Sequence, residues 1–455
     1  MPDKVIVPQI GDFVFRENCY TIIAMKFLIT GGKKLEGEIK LAGAKNAASK
    51  MMIASLLTPQ ECILSNFPVI GETDIVTELC ASLGSDIKRE GTVLTIKTSE
   101  IKNFRVTSLS RRNRIPILAL GPLLARAGEA EIPFLGGDKI GARPVDIHLE
   151  ALEAMGAKIE MAEATYRATA PDGLHGTNIS LRYPSVGATE NIILAATLAN
   201  GRTVIRNAAK EPEVIALIKM LQKMGAIIEL GANRVIYIDG VKQLRGVNHE
   251  IPPDRNEAVS YACLAAATGG NILVKDAVQE HLITFLNALR RVGGEYEVER
   301  NGIRFWRPGK LRGTETETDT HPGFMTDWQQ PFAVLLTQAD GVSVIHETVY
   351  EDRFGYTSDL NAMGADIKIF SKCLGELECR FSGAGFNHSA VISGVRSLRG
   401  VNLAVRDLRS GIAHIIAALV AEGSSVIDGA EEIDRGYEQI EKRLQALGAD
   451  IVRKA

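Results

Sequence analysis

No stretch of the chain is apolar for long enough to cross a bilayer. The longest apolar runs, around Ile115–Ala125 and Ile412–Ala421, fall well short of the roughly 20 residues a membrane helix needs. Residues 1–24 lack a continuous apolar region and carry Asp3, Lys4, Asp12, Arg16 and Glu17, so they do not read as a signal peptide. A regular pattern opens only at Met25, and the segment before it is expected to be a disordered extension or an over-long start assignment. An excess of one charge is also missing. The net charge is −3, with no basic or acidic tail, which excludes the broad positive footprint of a nucleic-acid binder and confines anion binding to a few placed Arg and Lys side chains. Cysteine is scarce: Cys19, Cys62, Cys80, Cys263, Cys373 and Cys379 are scattered, with no Cys-x-x-Cys pair. That spacing argues against both a zinc site and a disulfide framework, and it suits a reducing cytosol. The expectation is a cytoplasmic protein, not a membrane protein, with no metal and no cofactor.

What is present is ordinary for a globular protein, 45% apolar and 24% charged. At 455 residues the chain is too long for one core, so two or three domains are expected. A recurring phrase shows how they are built. Leu83-Gly84-Ser85-Asp86-Ile87 returns as Met155-Gly156-Ala157-Lys158-Ile159, Met224-Gly225-Ala226-Ile227-Ile228, Met363-Gly364-Ala365-Asp366-Ile367 and Leu447-Gly448-Ala449-Asp450-Ile451, with a weaker copy at Val292-Gly293-Gly294-Glu295-Tyr296. The glycines recur about every 70 residues, with a longer gap before the last.

Each unit reads as an alternating strand, an Ala/Leu/Ile-rich helix such as Glu190–Leu198, a Gly turn, a strand such as Thr203–Arg206, a second helix such as Pro212–Met224, and a closing strand pair. The repeated Gly suits the left-handed position that ends a helix. Alternating strands and helices of this length give an α/β fold. Six units predict two domains of three units each, with the chain crossing between them near Ala44 and again near Pro252. Residues 45–252 would form one domain, and residues 25–44 plus 253–455 the other. A single six-unit solenoid fits less well, because solenoid repeats are usually shorter, around 20–45 residues.

Polar or basic clusters precede the helix that opens each unit: Gly43–Asn46, Arg111–Arg114, Pro184–Thr189, Pro253–Glu257, Pro322–Asp327 and Arg406–Ser410. Helix starts carry unpaired N–H groups and the positive dipole end, which makes them anion sites. Capping alone would account for Thr189 or Asp407. It does not account for Lys45, Arg114 or Arg409, cations at the positive end of a helix, which cost stability unless an anion offsets them. Arg143 and Arg353 add further partners for phosphate and carboxylate. If three units pack per domain, six helix ends could face one cleft. A second island, Gly136–His148, has three glycines within six positions beside Asp138, Lys139 and Arg143, and reads as a loop that closes over anionic ligands before a helix starting at Pro144.

These segments together resemble the UDP-N-acetylglucosamine 1-carboxyvinyltransferase family, the enolpyruvyl transferases of peptidoglycan synthesis. The resemblance runs from about Met25 to the C-terminus. It is carried by Leu41–Ala48, Gly136–His148, Ser185–Glu190, Pro322–Asp327, Asp352-Arg353-Phe354, Asp407-Leu408-Arg409 and Ile433–Tyr437. It implies two inside-out α/β domains, with helices buried and sheets outside, closing over small-molecule substrates. It also implies roles. Lys45, Arg143 and Arg409 would grip the phosphate and carboxylate of phosphoenolpyruvate, with Asn46 nearby and Arg353 assisting. Arg114, the segment Arg143, Pro144, Val145, Asp146 and Ile147, then Ser185, Val186, Gly187, Asp327 and Val349 would hold the UDP-sugar. Asp327 would accept the proton of the sugar 3′-hydroxyl.

Two positions depart from the family pattern. Most members carry cysteine, the proton donor alkylated by fosfomycin, where this chain has Asp138; an Asp-bearing minority makes this a substitution, not an inactivation. Tyr183-Pro184 stands where some members place a basic residue, with Arg182 adjacent. The implied chemistry needs an acid at C3 of the donor and a base at the acceptor hydroxyl. Free Asp titrates near ~3.9 and free Cys near ~8.5, and Lys139 would lower Asp138 further, so only closure and the bound anions can raise it.

The nearest alternative is a shikimate-type enolpyruvyl transferase; the Gly43–Ala47 segment and the Gly136–His148 loop favour the UDP-sugar enzyme. An inactive sugar-binding paralogue is the other, and it would be expected to have lost Lys45, Asp138, Asp327 or Arg409. His148 is expected to support the loop, not to touch substrate, and His321, His346 and His414 read as packing residues.

Overall fold

The computed structural model describes residues 25–111, 113–134, 136, 145–376 and 378–455. Its β-structure comprises five four-stranded sheets and one three-stranded sheet among the described residues. All follow one plan. In one sheet, Asn178–Ser180 runs parallel to Arg202–Arg206, which pairs antiparallel with Ile236–Asp239, and that strand pairs antiparallel with Ile227–Leu230. The same order of one parallel and two antiparallel pairings recurs in the sheets holding Cys62–Ser65, Asn271–Lys275, Gly341–His346 and Ser424–Asp428. In the three-stranded sheet the parallel member is reduced to a single bridge, Arg105 to Glu131. The repeat read from the sequence is therefore a repeat of strand topology.

The repeated glycines have the conformation their position requires. Gly84, Gly156, Gly225, Gly293, Gly364 and Gly448 all have φ between 92° and 107°, where a Cβ is strained. Each ends a helix and turns the chain into the closing strand pair.

The helices that open the units lie inside. Arg255–Thr268 buries every residue from Arg255 to Ala267, and Leu408–Val420 every residue from Leu408 to Leu419. Such helices have no polar face because none of their faces meets water. They pack against one another and against Gln329–Thr337, while Lys45–Ala54, Leu120–Ala127 and Val186–Ala196 fill a second centre. Two apolar cores result. One is built from Ala44 to Ile251, the other from Phe27–Leu41 together with Ala258–Ile451. The N-terminal strand Lys26–Thr30 belongs to the second, paired between Ser424–Asp428 and Asp450–Lys454. The two passages between cores run side by side: Ala44 N–H donates to Pro252 O at 2.7 Å, and Gly43 bridges Pro253.

Local boundaries differ from the sequence reading for identifiable reasons. The helix expected over Glu190–Leu198 spans Val186–Ala196, because Ser185 caps it by accepting from Ala188 N–H. Thr189 is not a cap; buried within the helix, its hydroxyl accepts from Ala209 N–H at 3.0 Å. Asp407 does cap, in a reciprocal capping box with Ser410. After Arg114 the chain first makes a tight 3-10 turn, Ile115–Ala119, before the α-helix begins at Leu120. The helix of the glycine-rich island starts, among the described residues, at Asp146.

Candidate active site

The six helix starts meet. A cavity of about 400 Å³ between the two cores is lined by Lys45 and Asn46, Arg114, Ser185–Gly187, Arg255, Thr326 and Asp327, and Asp407–Arg409, so every polar cluster singled out in sequence contributes to it. Lys45, Arg114 and the Ser185 segment come from the first core; Asp327, Arg353 and Arg409 come from the second. The dipoles of the converging helix starts give the cavity a local preference for anions that needs no net charge on the protein.

Its centre is a carboxylate held by two guanidiniums. Asp327 Oδ1 accepts from Arg353 Nη2 at 2.5 Å, and Asp327 Oδ2 from Arg409 Nη2 at 3.0 Å. Burial works against ionisation of Asp327, but Arg409, Arg353 and then Lys45 outweigh it and hold its pKa far below the usual carboxylate range. Burial likewise disfavours the charge on Arg409, and Asp327 more than restores it. The Asp327 side chain keeps 20% exposure, which leaves it open to a ligand. Lys45 sits across the cavity with Nζ 3.7 Å from Glu72 Oε1, and its backbone N–H donates to Asp254 Oδ2 at 3.1 Å.

Two of the cations found costly at helix starts, Lys45 and Arg409, are therefore matched by the chain's own acids. Nine cationic and seven acidic side chains line the cavity among the described residues. A ligand anion must displace internal partners to gain the arginines, and only a multiply charged one that also meets the helix ends does so effectively.

The remaining expected residues divide. Arg114, Ile147, Ser185, Val186, Gly187 and Val349 line the cavity. Asp146 does not; it pairs with Arg182. Val145 is half-buried beside the start of the same helix and is likewise absent from the lining. Asp138, Arg143 and Pro144 lie outside the described residues, as do residues 1–24. His148 is buried and its Nδ1 lies 3.3 Å from Asn191 Nδ2; burial and then Arg114 lower its pKa to about 3, so it is neutral. Its ring packs under Gly187, where an added Cβ would come within 3.1 Å of it.

The sequence profile of the EPSP synthase (3-phosphoshikimate 1-carboxyvinyltransferase) family matches residues 29–444. A UDP-N-acetylglucosamine 1-carboxyvinyltransferase of Protochlamydia amoebophila is 49% identical over 432 residues, covering 93% of each chain. One of Chlamydia abortus is 47% identical, covering 93% of this chain and 97% of its own. One of Gluconobacter oxydans is 41% identical, covering 94% and 99%. The chain belongs to the UDP-N-acetylglucosamine 1-carboxyvinyltransferase family. Solved structures agree on the fold. The enolpyruvyl transferase NikO of Streptomyces tendae superposes with a TM-score of 0.83 at 22% identity, covering 95% of this chain and 99% of its own. An EPSP synthase of Acinetobacter baumannii gives 0.72 at 19% identity, covering 95% and 100%. The inside-out α/β arrangement is thus the fold of enolpyruvyl transferases.

Several lining residues of this family member were not foreseen. Glu190, Glu211 and Glu213 form an acidic wall. Glu213 makes a two-point ion pair with Arg255, 2.9 Å at both oxygens, across the two cores. Glu190 has no hydrogen-bond partner for either oxygen among the described residues, and burial, opposed by Lys50 and aided by Glu213 and Glu211, raises its pKa to about 7. The Glu-Pro-Glu spelling at 211–213 follows a strand and opens a helix, a signal of the same kind as the basic clusters but of opposite sign. Arg380 and Tyr183 were also missed as a pair. The Arg380 guanidinium lies 4.5 Å from the Tyr183 ring centroid, which supplies a cation close to the departure at Tyr183-Pro184.

Proposed function

We propose that this cavity transfers the enolpyruvyl group of phosphoenolpyruvate to the 3′-hydroxyl of UDP-N-acetylglucosamine and releases phosphate, the first committed step of peptidoglycan precursor synthesis in the cytoplasm. The observation that carries the reading is the meeting of Lys45, from one core, with Arg353 and Arg409, from the other, around Asp327. The names and near-full coverage of the relatives support the choice of donor and acceptor.

In this reading the two cores act as two domains, residues 45–252 and residues 25–44 plus 253–455, that close on substrate. Lys45, Arg353 and Arg409, with Arg143, take the phosphate and carboxylate of the donor. Asn46 stands beside Lys45, and Arg114, Ser185–Gly187, Ile147 and Val349 line the acceptor side. Asp138 delivers a proton to C3 of the donor, which makes C2 electrophilic. The acceptor oxygen bonds to C2 as its proton passes to Asp327. A C3 proton then passes back to the Asp138 carboxylate, the C2–O bond to phosphate breaks with phosphate as the leaving group, and the C2–C3 double bond re-forms in the product.

Asp327 is a weak base while both guanidiniums hold it. Donor binding draws Arg353 and Arg409 onto phosphate and carboxylate, so the carboxylate gains basicity when the acceptor hydroxyl arrives. The site thereby couples donor occupancy to activation of the base. Loss of such an activity would affect cell shape and division through the cell wall, and Asp138 in place of cysteine would confer resistance to fosfomycin.

The test is phosphate release by the purified chain with phosphoenolpyruvate and each acceptor in turn, with the product mass read directly. Release with UDP-N-acetylglucosamine and a mass gain of one enolpyruvyl unit is expected. Release with shikimate 3-phosphate instead, or saturable sugar binding without turnover, would overturn the proposal.

A further inference from the structure

Away from the cavity, two cysteines and two histidines gather on the outer sheet of the second core. Cys373, Cys379 and His388 lie on the segment between strands Ile367–Phe370 and Ser389–Gly394; His346 ends the neighbouring strand Gly341–His346. One ligand atom from each lies within 4.8 Å of the others. Cys373 Sγ is 3.6 Å from Cys379 Sγ and 3.3 Å from His388 Nε2. Bond lengths of about 2.3 Å to sulfur and about 2.0–2.1 Å to nitrogen put the edges of a tetrahedral zinc cage at about 3.8 Å between sulfurs and about 3.6 Å between sulfur and nitrogen. The two distances at Cys373 match those edges to a few tenths of an ångström, and the remaining ones lie within 4.8 Å.

The surroundings are arranged as a metal would need. His388 Nδ1 is 2.7 Å from Phe386 O, and His346 Nδ1 is 2.9 Å from Glu317 Oε2. Each ring thus donates from Nδ1 to an oxygen and leaves Nε2 as a lone pair, which in His388 faces Cys373 Sγ, the outer-sphere pattern that orients metal-bound histidines. His346 is 1% exposed, and its Nε2 has no hydrogen-bond partner among the described residues; a buried polar atom left so needs an explanation. The backbone N–H groups of Cys379 and Phe381 donate to Cys373 Sγ and Cys379 Sγ, each at 3.4 Å, which favours thiolates. Gly375 allows the segment to close: a Cβ there would lie 1.8 Å from Glu317 Oε2 and 2.2 Å from His346 Nδ1.

We propose that Cys373, Cys379, His346 and His388 form a structural zinc site. The ligand set is two thiolates and two imidazoles, which selects zinc over the hard divalent cations. Four protein ligands leave no open position, so the site is structural and not catalytic. On binding, both thiols release their protons to solvent, and the two thiolates neutralise the ion. The scattered cysteines argued against zinc in the sequence because the Cys-x-x-Cys spacing is absent. The fold overturns that argument by bringing a histidine from an adjacent strand to a pair of cysteines on one loop.

The site has a structural task close to the cavity. Glu347, next to His346, is buried and accepts from Thr326 Oγ1 and Gln329 Nε2, both at 2.9 Å, and from Val349 N–H at 2.8 Å. Arg380, next to Cys379, donates to Val349 O and lies over Tyr183. Zinc would tie the strand leading to Glu347 to the strap that carries Arg380.

The test is metal content, which is independent of the proposed activity. The full chain is purified under reducing conditions without chelator, equilibrated with micromolar zinc, desalted and analysed by plasma mass spectrometry. About one zinc per chain is expected, with Cys62→Ala unchanged and Cys379→Ser and His388→Ala reduced to background. Cobalt(II) in place of zinc should give the ligand-field and thiolate charge-transfer bands of a tetrahedral site in the unaltered chain, a readout that does not depend on any variant folding. Folded unaltered chain that retains less than a tenth of an equivalent overturns the proposal. So does full metal content in a Cys373→Ser/Cys379→Ser double variant, or a Cys373–Cys379 disulfide in the freshly isolated chain.

Discussion

Arg409 and Arg353 hold opposite oxygens of one carboxylate, with Arg409 Nη2 3.0 Å from Asp327 Oδ2 and Arg353 Nη2 2.5 Å from Asp327 Oδ1. In the proposed reaction Asp327 is therefore both the base for the acceptor and a competitor of the donor for its cations. Asp327→Asn keeps the shape and removes both properties. Turnover should fall by about 10²–10⁴-fold, the usual contribution of a positioned base. Binding of inorganic phosphate, measured by calorimetry, should tighten, because two guanidiniums lose their internal partner. Weaker phosphate binding would show that Asp327 assembles the anion site instead of competing for it.

The same pair makes the fold sensitive to acid. The folded pKa of Asp327 is depressed, so its stabilisation is fully present above the unfolded value near ~3.9 and is lost as pH falls below it toward the folded value. Asp327→Asn should cost about 3–5 kcal/mol at neutral pH, since it leaves buried charges uncompensated, and that cost should shrink below pH ~4. Chemical denaturation at pH 7 and pH 3.5 reads the difference; an equal cost at both would refute the linkage.

Glu190 works in the opposite direction. Its pKa is raised from 4.5 to about 7, chiefly by burial. A carboxylate with a raised folded pKa destabilises the fold increasingly as pH climbs from the unfolded value through about 7, and the penalty is complete above that. Glu190→Gln should therefore stabilise the chain at pH 8 by on the order of 1–3 kcal/mol and do little at pH 4. Thermal melting at the two values checks it, and a gain confined to acid pH would reverse the assignment.

The architecture was legible because its repeat is spelled out: Gly84, Gly156 and their equivalents mark one turn, and that turn fixes where each strand pair begins. The helix starts were legible because Lys45 and Arg409 stand where a helix dipole disfavours them. Other features were hidden for physical reasons. The internal compensation by Asp327 and Glu72 depends on tertiary contacts between residues 26 to 82 positions apart, with no local spacing to mark them. The acidic wall of Glu190, Glu211 and Glu213 looks in sequence like ordinary helix-start polarity. The Cys373, Cys379, His346 and His388 cluster escaped because its ligands do not share one local spacing, and only strand pairing unites them.

Asp138, outside the described residues, bears on the proton donor. If it delivers the proton to C3, the alkaline limb of the rate profile should lie at lower pH than in Asp138→Cys, because a proton donor fails once it ionises and a free carboxyl titrates near ~3.9 against ~8.5 for a free thiol. The unaltered chain should resist covalent labelling by fosfomycin, and the cysteine variant should gain a thioether adduct visible by mass spectrometry. Labelling of Asp138 itself, or identical alkaline limbs in the two proteins, would remove it from this role.

The cation beside Tyr183 comes from the other core. Arg182 is held by Asp146 and Glu150 and is therefore engaged, whereas Arg380 stacks over the Tyr183 ring at 4.5 Å and donates to Val349 O. The Arg380 side chain is 40% exposed, so the stacking contributes only about 0.5–1 kcal/mol. Tyr183→Ala should thus raise KM for the UDP-sugar by about 2–5-fold, leaving kcat within about twofold. Tyr183→Phe keeps the ring and should match the unaltered chain in both constants. A fall in kcat for the alanine variant at constant KM would mean that Tyr183 acts on the chemical step, not on placement of Arg380 at the acceptor.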